Sequence, residues 1–125
     1  MARILVIDDE ASIRENLVRF LVLEGHEVLQ AADGQAGFDA IRMHQPDFIF
    51  CDVMMPKMDG FAVLEATQSD ARLKGIPFVF LSASAEPEKL DAALQQGASG
   101  YVTKPFNLAH LRQLLAQQLP PSAKP

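Results

Sequence analysis

The chain has 125 residues, enough for one domain with a single core. Hydrophobic residues make up 49% and charged residues 22%, ordinary globular usage that argues against disorder. Sixteen acids against eleven Lys and Arg leave a net charge of −5, which speaks against nucleic-acid binding by this chain directly. The single cysteine excludes an internal disulfide. No apolar stretch approaches the roughly 18 residues of a membrane span, and Met1-Ala2-Arg3 is no signal peptide, so a cytoplasmic protein without membrane contact is expected.

The first element is the apolar run Ile4–Ile7, which lacks period-2 alternation and suits a strand buried on both faces. Ser12-Ile13-Arg14-Glu15 has capping-box spacing, with Ser12 as the cap of a helix. Ile13, Leu17, Phe20 and Leu21 form its apolar stripe, and Gly25 suits the position past its end. Glu27–Ala31 is mixed, as an edge strand would be. Phe38 and Ile41 mark a second helix that stops before Pro46. Phe48–Cys51 is a second buried strand, and Asp59 can cap a third helix with Phe61 and Leu64 inward.

Phe78–Leu81 repeats the buried-strand pattern. Pro87 fits the first turn of a fourth helix, with Leu90, Ala93 and Leu94 on one face and Gly97 at its end. Tyr101-Val102-Thr103 is a short fifth strand, and Asn107 can cap a fifth helix carrying Leu108, Leu111, Leu114 and Leu115. The fold class is therefore α/β, a (βα)5 doubly wound five-stranded parallel sheet with helices on both faces and right-handed crossovers. Periodicity leaves the strand order open. Residues 1–119 form the domain, and the Pro-rich residues 120–125 read as a tail or linker.

In an open parallel sheet every strand ends on one edge, and ligands bind there. Asp8, Asp9 and Glu10 follow the first run, Asp52 the third, Ser82 the fourth and Lys104 the fifth. Singly, each acid could be a cap or a solvated loop residue, and Lys104 a neutralising partner. Together, acids at the ends of two buried strands repel one another, and a hard divalent cation such as Mg²⁺ relieves that repulsion. A metal and Lys104 would cradle a phosphoryl group, with Ser82 as a further donor. A carboxylate can be the acceptor, forming an acyl phosphate. Asp52 stands alone at its strand end, whereas the Asp8–Asp9 pair is better suited to metal.

The combined pattern resembles the receiver domain of two-component response regulators. The resemblance runs from about Ala2 to Leu119 and rests on four segments in order. These are Val6-Ile7-Asp8-Asp9-Glu10, Cys51 to Pro56 with Asp59-Gly60, Leu81-Ser82-Ala83, and Gly97-Ala98 through Tyr101 to Lys104-Pro105-Phe106. It implies a flavodoxin-like strand order of 2-1-3-4-5. It implies phosphorylation of Asp52 by a sensor histidine kinase or a phosphotransfer protein, with promotion of its own phosphoryl transfer and autodephosphorylation but no metabolic reaction.

Asp8, Asp9, Asp52 and the backbone carbonyl of Met54 would hold Mg²⁺, and Ser82 and Lys104 would bind the phosphoryl oxygens. The Lys104–Pro105 bond would be cis, and Tyr101 would act with Ser82 as the switch. The switched surface would be helix 4, strand 5 and helix 5, and its partner a downstream effector, a fused output domain or a second copy. Met54 and Ser84 occupy the positions that tune phosphoryl lifetime in that family.

Other residues read as structural. Cys51 is a buried filler, His26, His44 and His110 are surface residues, and Met54, Met55 and Met58 pad a loop. A dehalogenase-like phosphatase would need an Asp-x-Asp pair after the first strand, and Asp8 and Asp9 are adjacent. A flavodoxin-like carrier would need a hydroxyl-rich loop there and flanking rings, and the loop is acidic with no Trp in the chain. A non-phosphorylated pseudo-receiver would lack site residues that are present here.

Overall fold

The computed structural model describes residues 2–83 and 87–119. Leu90's side chain, Ser84 and the tail 120–125 lie outside the described residues. In chain order the elements are β1 (Arg3–Ile7), α1 (Ala11–Leu23), β2 (Glu27–Ala31), α2 (Gly34–His44) and β3 (Phe48–Asp52). Then follow α3 (Gly60–Gln68), β4 (Phe78–Ser82), α4 (Pro87–Gln95), β5 (Gly100–Thr103) and α5 (Leu108–Gln118). All strand pairs are parallel, and the order is β2-β1-β3-β4-β5, the flavodoxin-like arrangement.

Successive strand residues point to opposite faces, and each face carries its own core. Ile4, Val6, Phe48, Phe50, Val79, Leu81 and Val102 pack against Leu17, Phe20 and Leu21 of α1 and Leu111 and Leu115 of α5. Leu5, Ile7, Ile49, Cys51, Phe78 and Phe80 pack against Ile41 of α2, Val63 and Leu64 of α3 and Ala93 of α4. β3 and β4 are buried throughout, which is why their sequences show no polar alternation. β2, at the sheet edge, is mostly half-exposed.

The expected helix ends hold at several places. Asp59 accepts a hydrogen bond from the Ala62 amide and Asn107 from the His110 amide, each capping its helix. Pro87 opens α4. Gly25 and Gly97 sit past the ends of α1 and α4 at φ of 92° and 111°, a left-handed geometry that suits glycine.

Four expectations need correction. Ser12 does not cap α1. The helix begins two residues earlier, with Glu10 in the cap position, where Asp8 Oδ1 takes the Glu10 amide at 2.9 Å in a tight turn, and no side chain caps it. His26 is buried rather than superficial, since it closes the α1–β2 turn over β1, where its Nδ1 accepts the Ala2 amide at 3.2 Å. Leu94 and Leu108 are each about half exposed, because Ala93 and Leu111 take the inward positions of their helices. Met54 is exposed, while Met55 and Met58 do pack against the core.

Candidate functional site

Strand parity builds the site. Asp8, Asp52 and Lys104 continue the positions of Val6, Phe50 and Val102, so all three leave the sheet on the side covered by α1 and α5. Ser82 has the parity of Phe80 and starts from the opposite face. β5 borders neither β3 nor β1, so the long Lys104 side chain reaches over the end of β4 to meet their acids. Lys104 Nζ is 3.0 Å from Asp8 Oδ2, 3.3 Å from Asp52 Oδ2 and 3.4 Å from Glu10 Oε1. Carboxylate oxygens of Asp8, Glu10 and Asp52 lie within 4.8 Å of one another.

A cleft of about 280 Å³ opens over this floor, and Asp9, Asp52, Met54, Ser82 and Lys104 are among the residues that line it. Asp8 is fully buried beneath it, and Asp9 is exposed. A larger apolar hollow of about 600 Å³ lies alongside, between α1 and the start of α5. Tyr101 lies outside the cleft. It is half-buried on β5, paired in register with Phe80, and packs on the core beneath α2 to α4. The Lys104–Pro105 peptide is cis.

The loop after Asp52 is held from two directions. Gly60 donates to the Val53 carbonyl at 2.8 Å, so α3 starts directly behind the phosphoacceptor candidate. On the other flank, a Cβ at Gly34 would stand 1.8 Å from the Met58 carbonyl, so only glycine lets α2 approach that loop.

The electrostatics follow from burial. Desolvation, helped by the charge of Asp8, raises the Asp52 carboxyl from 3.8 to about 6, although Lys104 pulls it down. Burial alone would lower the Lys104 ammonium, but Asp8, Asp52 and Glu10 outweigh it and hold it above its usual value. Cys51 is fully buried beside this cluster, and burial, with Asp52 and Asp8 nearby, pushes its thiol well up.

The donor set suits a hard divalent cation. Asp8 Oδ2 is buried with no hydrogen bond among the described residues, its contact with Lys104 being an ion pair without hydrogen-bond alignment. Three carboxylates facing one ammonium leave an excess of negative oxygen that a cation would satisfy. Glu10 is the member of this cluster that sequence reasoning missed. It follows the first strand, but its contact with Lys104 spans 94 residues and leaves no local signal. The second residue missed is Arg14, which donates to the Asp8 carbonyl at 2.7 Å. The capping-box reading of Ser12 to Glu15 hid it.

Comparison with known proteins agrees with this geometry. The model of the response regulator receiver domain matches residues 4–116. The DNA-binding dual master transcriptional regulator RpaA of Synechocystis is 38% identical over 130 residues, covering 99% of this chain and 54% of that protein. Response regulator MprA of Mycolicibacterium vanbaalenii is 38% identical over 122 residues, 94% of this chain and 52% of its own. The chain thus spans about half the length of the curated relatives it matches. Among solved structures, the chemotaxis protein CheY4 of Vibrio cholerae superposes with a TM-score of 0.89 at 35% identity, covering 95% of this chain and 99% of that one. With a family match over residues 4–116 and this fold, the chain belongs to the response regulator receiver domains of two-component signalling.

Proposed function

We propose that Asp52 accepts a phosphoryl group from the phosphohistidine of a sensor histidine kinase or a phosphotransfer protein. The observation that supports this most is the placement of Asp52 over a buried, under-neutralised Asp8 and within 3.3 Å of Lys104. An Asp52 oxygen forms the new O–P bond as the N–P bond breaks, and the imidazole leaves. The environment that favours a proton on Asp52 also makes its carboxylate a better nucleophile. Lys104 and Ser82 stand at the same cleft, where they bind the phosphoryl oxygens. Asp8, Asp9, Asp52 and the Met54 carbonyl are the proposed protein ligands of Mg²⁺, and Glu10 stands near enough to join them. Mg²⁺, when bound, supplies charge neutralisation between the acceptor carboxylate and the incoming phosphoryl oxygens.

A receiver domain is a signalling switch rather than a classical enzyme. Autodephosphorylation is part of the proposal, as is the role of Tyr101 and Ser82 in carrying the change to α4, β5 and α5. Added phosphoryl charge beside Ser82 and Lys104 would draw both loops inward and bias that surface. Its partner is an effector protein, a fused output domain or a second copy of the chain. The greater length of relatives such as RpaA supports the fused arrangement, with residues 1–119 as the receiver and the rest of the output beyond it. Among the described residues no helix is long and apolar enough to cross a membrane.

The test is a titration with beryllium fluoride and Mg²⁺ followed by amide NMR. Wild type is expected to shift at Asp52, Ser82, Tyr101 and Lys104 only when both are present, with Asp52→Asn silent. Shifts spreading over α4 and α5 are expected at the output face. No response in wild type would overturn the phosphoacceptor reading and favour a pure interaction module.

A further inference from the structure

We infer that Arg14 is a positioning residue for the metal-binding end of the site, acting through the main chain of the β1–α1 loop. α1 begins without a side-chain cap and without an acid in its first turn. Arg14 donates the first α-helical hydrogen bond, to the Glu10 carbonyl at 3.0 Å. A cation so near a helix N-terminus opposes the helix dipole. The stability of the helix itself gives no reason for it here, and a local rule broken in this way points to a functional site.

The side chain folds back over the helix start. Its Nη1 donates to the Asp8 carbonyl at 2.7 Å and its Nε to Gln30 Oε1 at 3.2 Å. Gln30 sits on β2, in register with Val6 of β1. The guanidinium therefore forms a strut from the edge strand to the peptide that joins Asp8 to Asp9. The Asp8 amide is held separately, donating to the Ala31 carbonyl at 3.1 Å, and Asp8 Oδ1 takes the Glu10 amide. With these bonds in place, the Arg14 contact fixes the Asp8–Asp9 peptide plane, and so the point from which the Asp9 carboxylate departs. A planar fork can hold two acceptors in a set relation, which a lysine ammonium cannot do.

The inference rests on the phosphoacceptor reading in one respect, that Asp9 contributes to cation binding. Charge and position predict opposite signs. If Arg14 acted only as a nearby positive charge, its removal would strengthen Mg²⁺ binding. If it positions the loop, removal weakens it, by the order of tenfold typical of residues that orient metal ligands.

The experiment is an Mg²⁺ titration by amide NMR on wild type, Arg14→Ala, Arg14→Lys and Gln30→Ala, with thermal unfolding in metal-free buffer alongside. Expected is an Mg²⁺ affinity lowered about tenfold in Arg14→Ala. Arg14→Lys should be weakened as well despite keeping its charge, and Gln30→Ala should be weakened less, while metal-free melting changes little. Arg14→Ala binding Mg²⁺ as well as wild type, or more tightly, would overturn the positioning role. So would a large loss of metal-free stability with affinity unchanged. Wild type showing no Mg²⁺ response would instead remove the phosphoacceptor reading, and this inference with it.

Discussion

At the end of the sheet where the strands begin, polar groups are matched pair by pair. The Arg3 amide donates to Asp47 Oδ2 and the Asp47 amide to the Arg3 carbonyl, both at 2.8 Å. The Ala2 carbonyl takes the Glu27 amide, and His26, buried and neutral, takes the Ala2 amide. At the end where the strands finish, three carboxylates share one ammonium, and a buried oxygen of Asp8 has no hydrogen bond among the described residues. The same parallel topology builds both ends. The difference is that one completes itself and the other is left with uncompensated negative oxygen.

Removing the Lys104 ammonium should strain the second end most. Lys104→Met leaves Asp8 and Asp52 facing each other without the ammonium between them. The expected loss, in metal-free urea unfolding, is about 2 kcal/mol or more, since breaking a buried pair strands a charge. Mg²⁺ at ten times its dissociation constant returns about 1.4 kcal/mol to any form that binds it only when folded. An unchanged unfolding midpoint would mean that Lys104 does not hold the acids together.

Removing the acceptor charge should do the reverse. The folded Asp52 carboxyl titrates near 6 against 3.8 for the ordinary value, so the folded state binds its proton more tightly. Ionised Asp52 is then a penalty, full above about pH 6 and relieved as pH falls towards 3.8. Asp52→Asn is expected to stabilise the metal-free protein by about 1 kcal/mol near neutral pH, after allowing for the cleft's open side. The gain should fade through that same window in urea unfolding against pH.

The smallest effect lies at the self-complete end and has the opposite sign. Burial lowers the His26 pKa below 6.5, with Glu24 pulling weakly the other way. The unfolded chain therefore takes up this proton first, and His26 withdraws stability as pH falls below 6.5. His26→Gln keeps an acceptor for the Ala2 amide and should flatten that limb of the profile. If the limb persists in the variant, another group causes it.

Much of this was legible in the residue order. Unbroken apolar runs marked β1, β3 and β4, and Asp59, Asn107, Gly25 and Gly97 marked helix ends, because caps and left-handed turns depend on a few adjacent residues. The strand order was not in the periodicity and came from the resemblance alone. Ser12 misled because capping-box spacing is a local signal, while the local competitor that won, Asp8 on the Glu10 amide, sits on the strand side of the loop. His26 was misread because its burial depends on Ala2, 24 residues away. Asp8, Glu10, Asp52 and Lys104 could be listed as strand-end residues, but the contact of Glu10 with Lys104 depends on reach across the sheet, and that of Arg14 on a guanidinium folding back over its own helix start, which spacing does not encode.

The lone thiol has a use that follows from its place. Cys51 is fully buried in the central strand, with neighbours that keep it protonated. A water-borne thiol reagent can reach it only when β3 opens. The labelling rate of the unaltered chain therefore times the opening of its own core. Any bound cation, acyl-phosphate mimic or partner that tightens the domain will be read as a slower clock, with no probe to attach and no second cysteine to confuse the count.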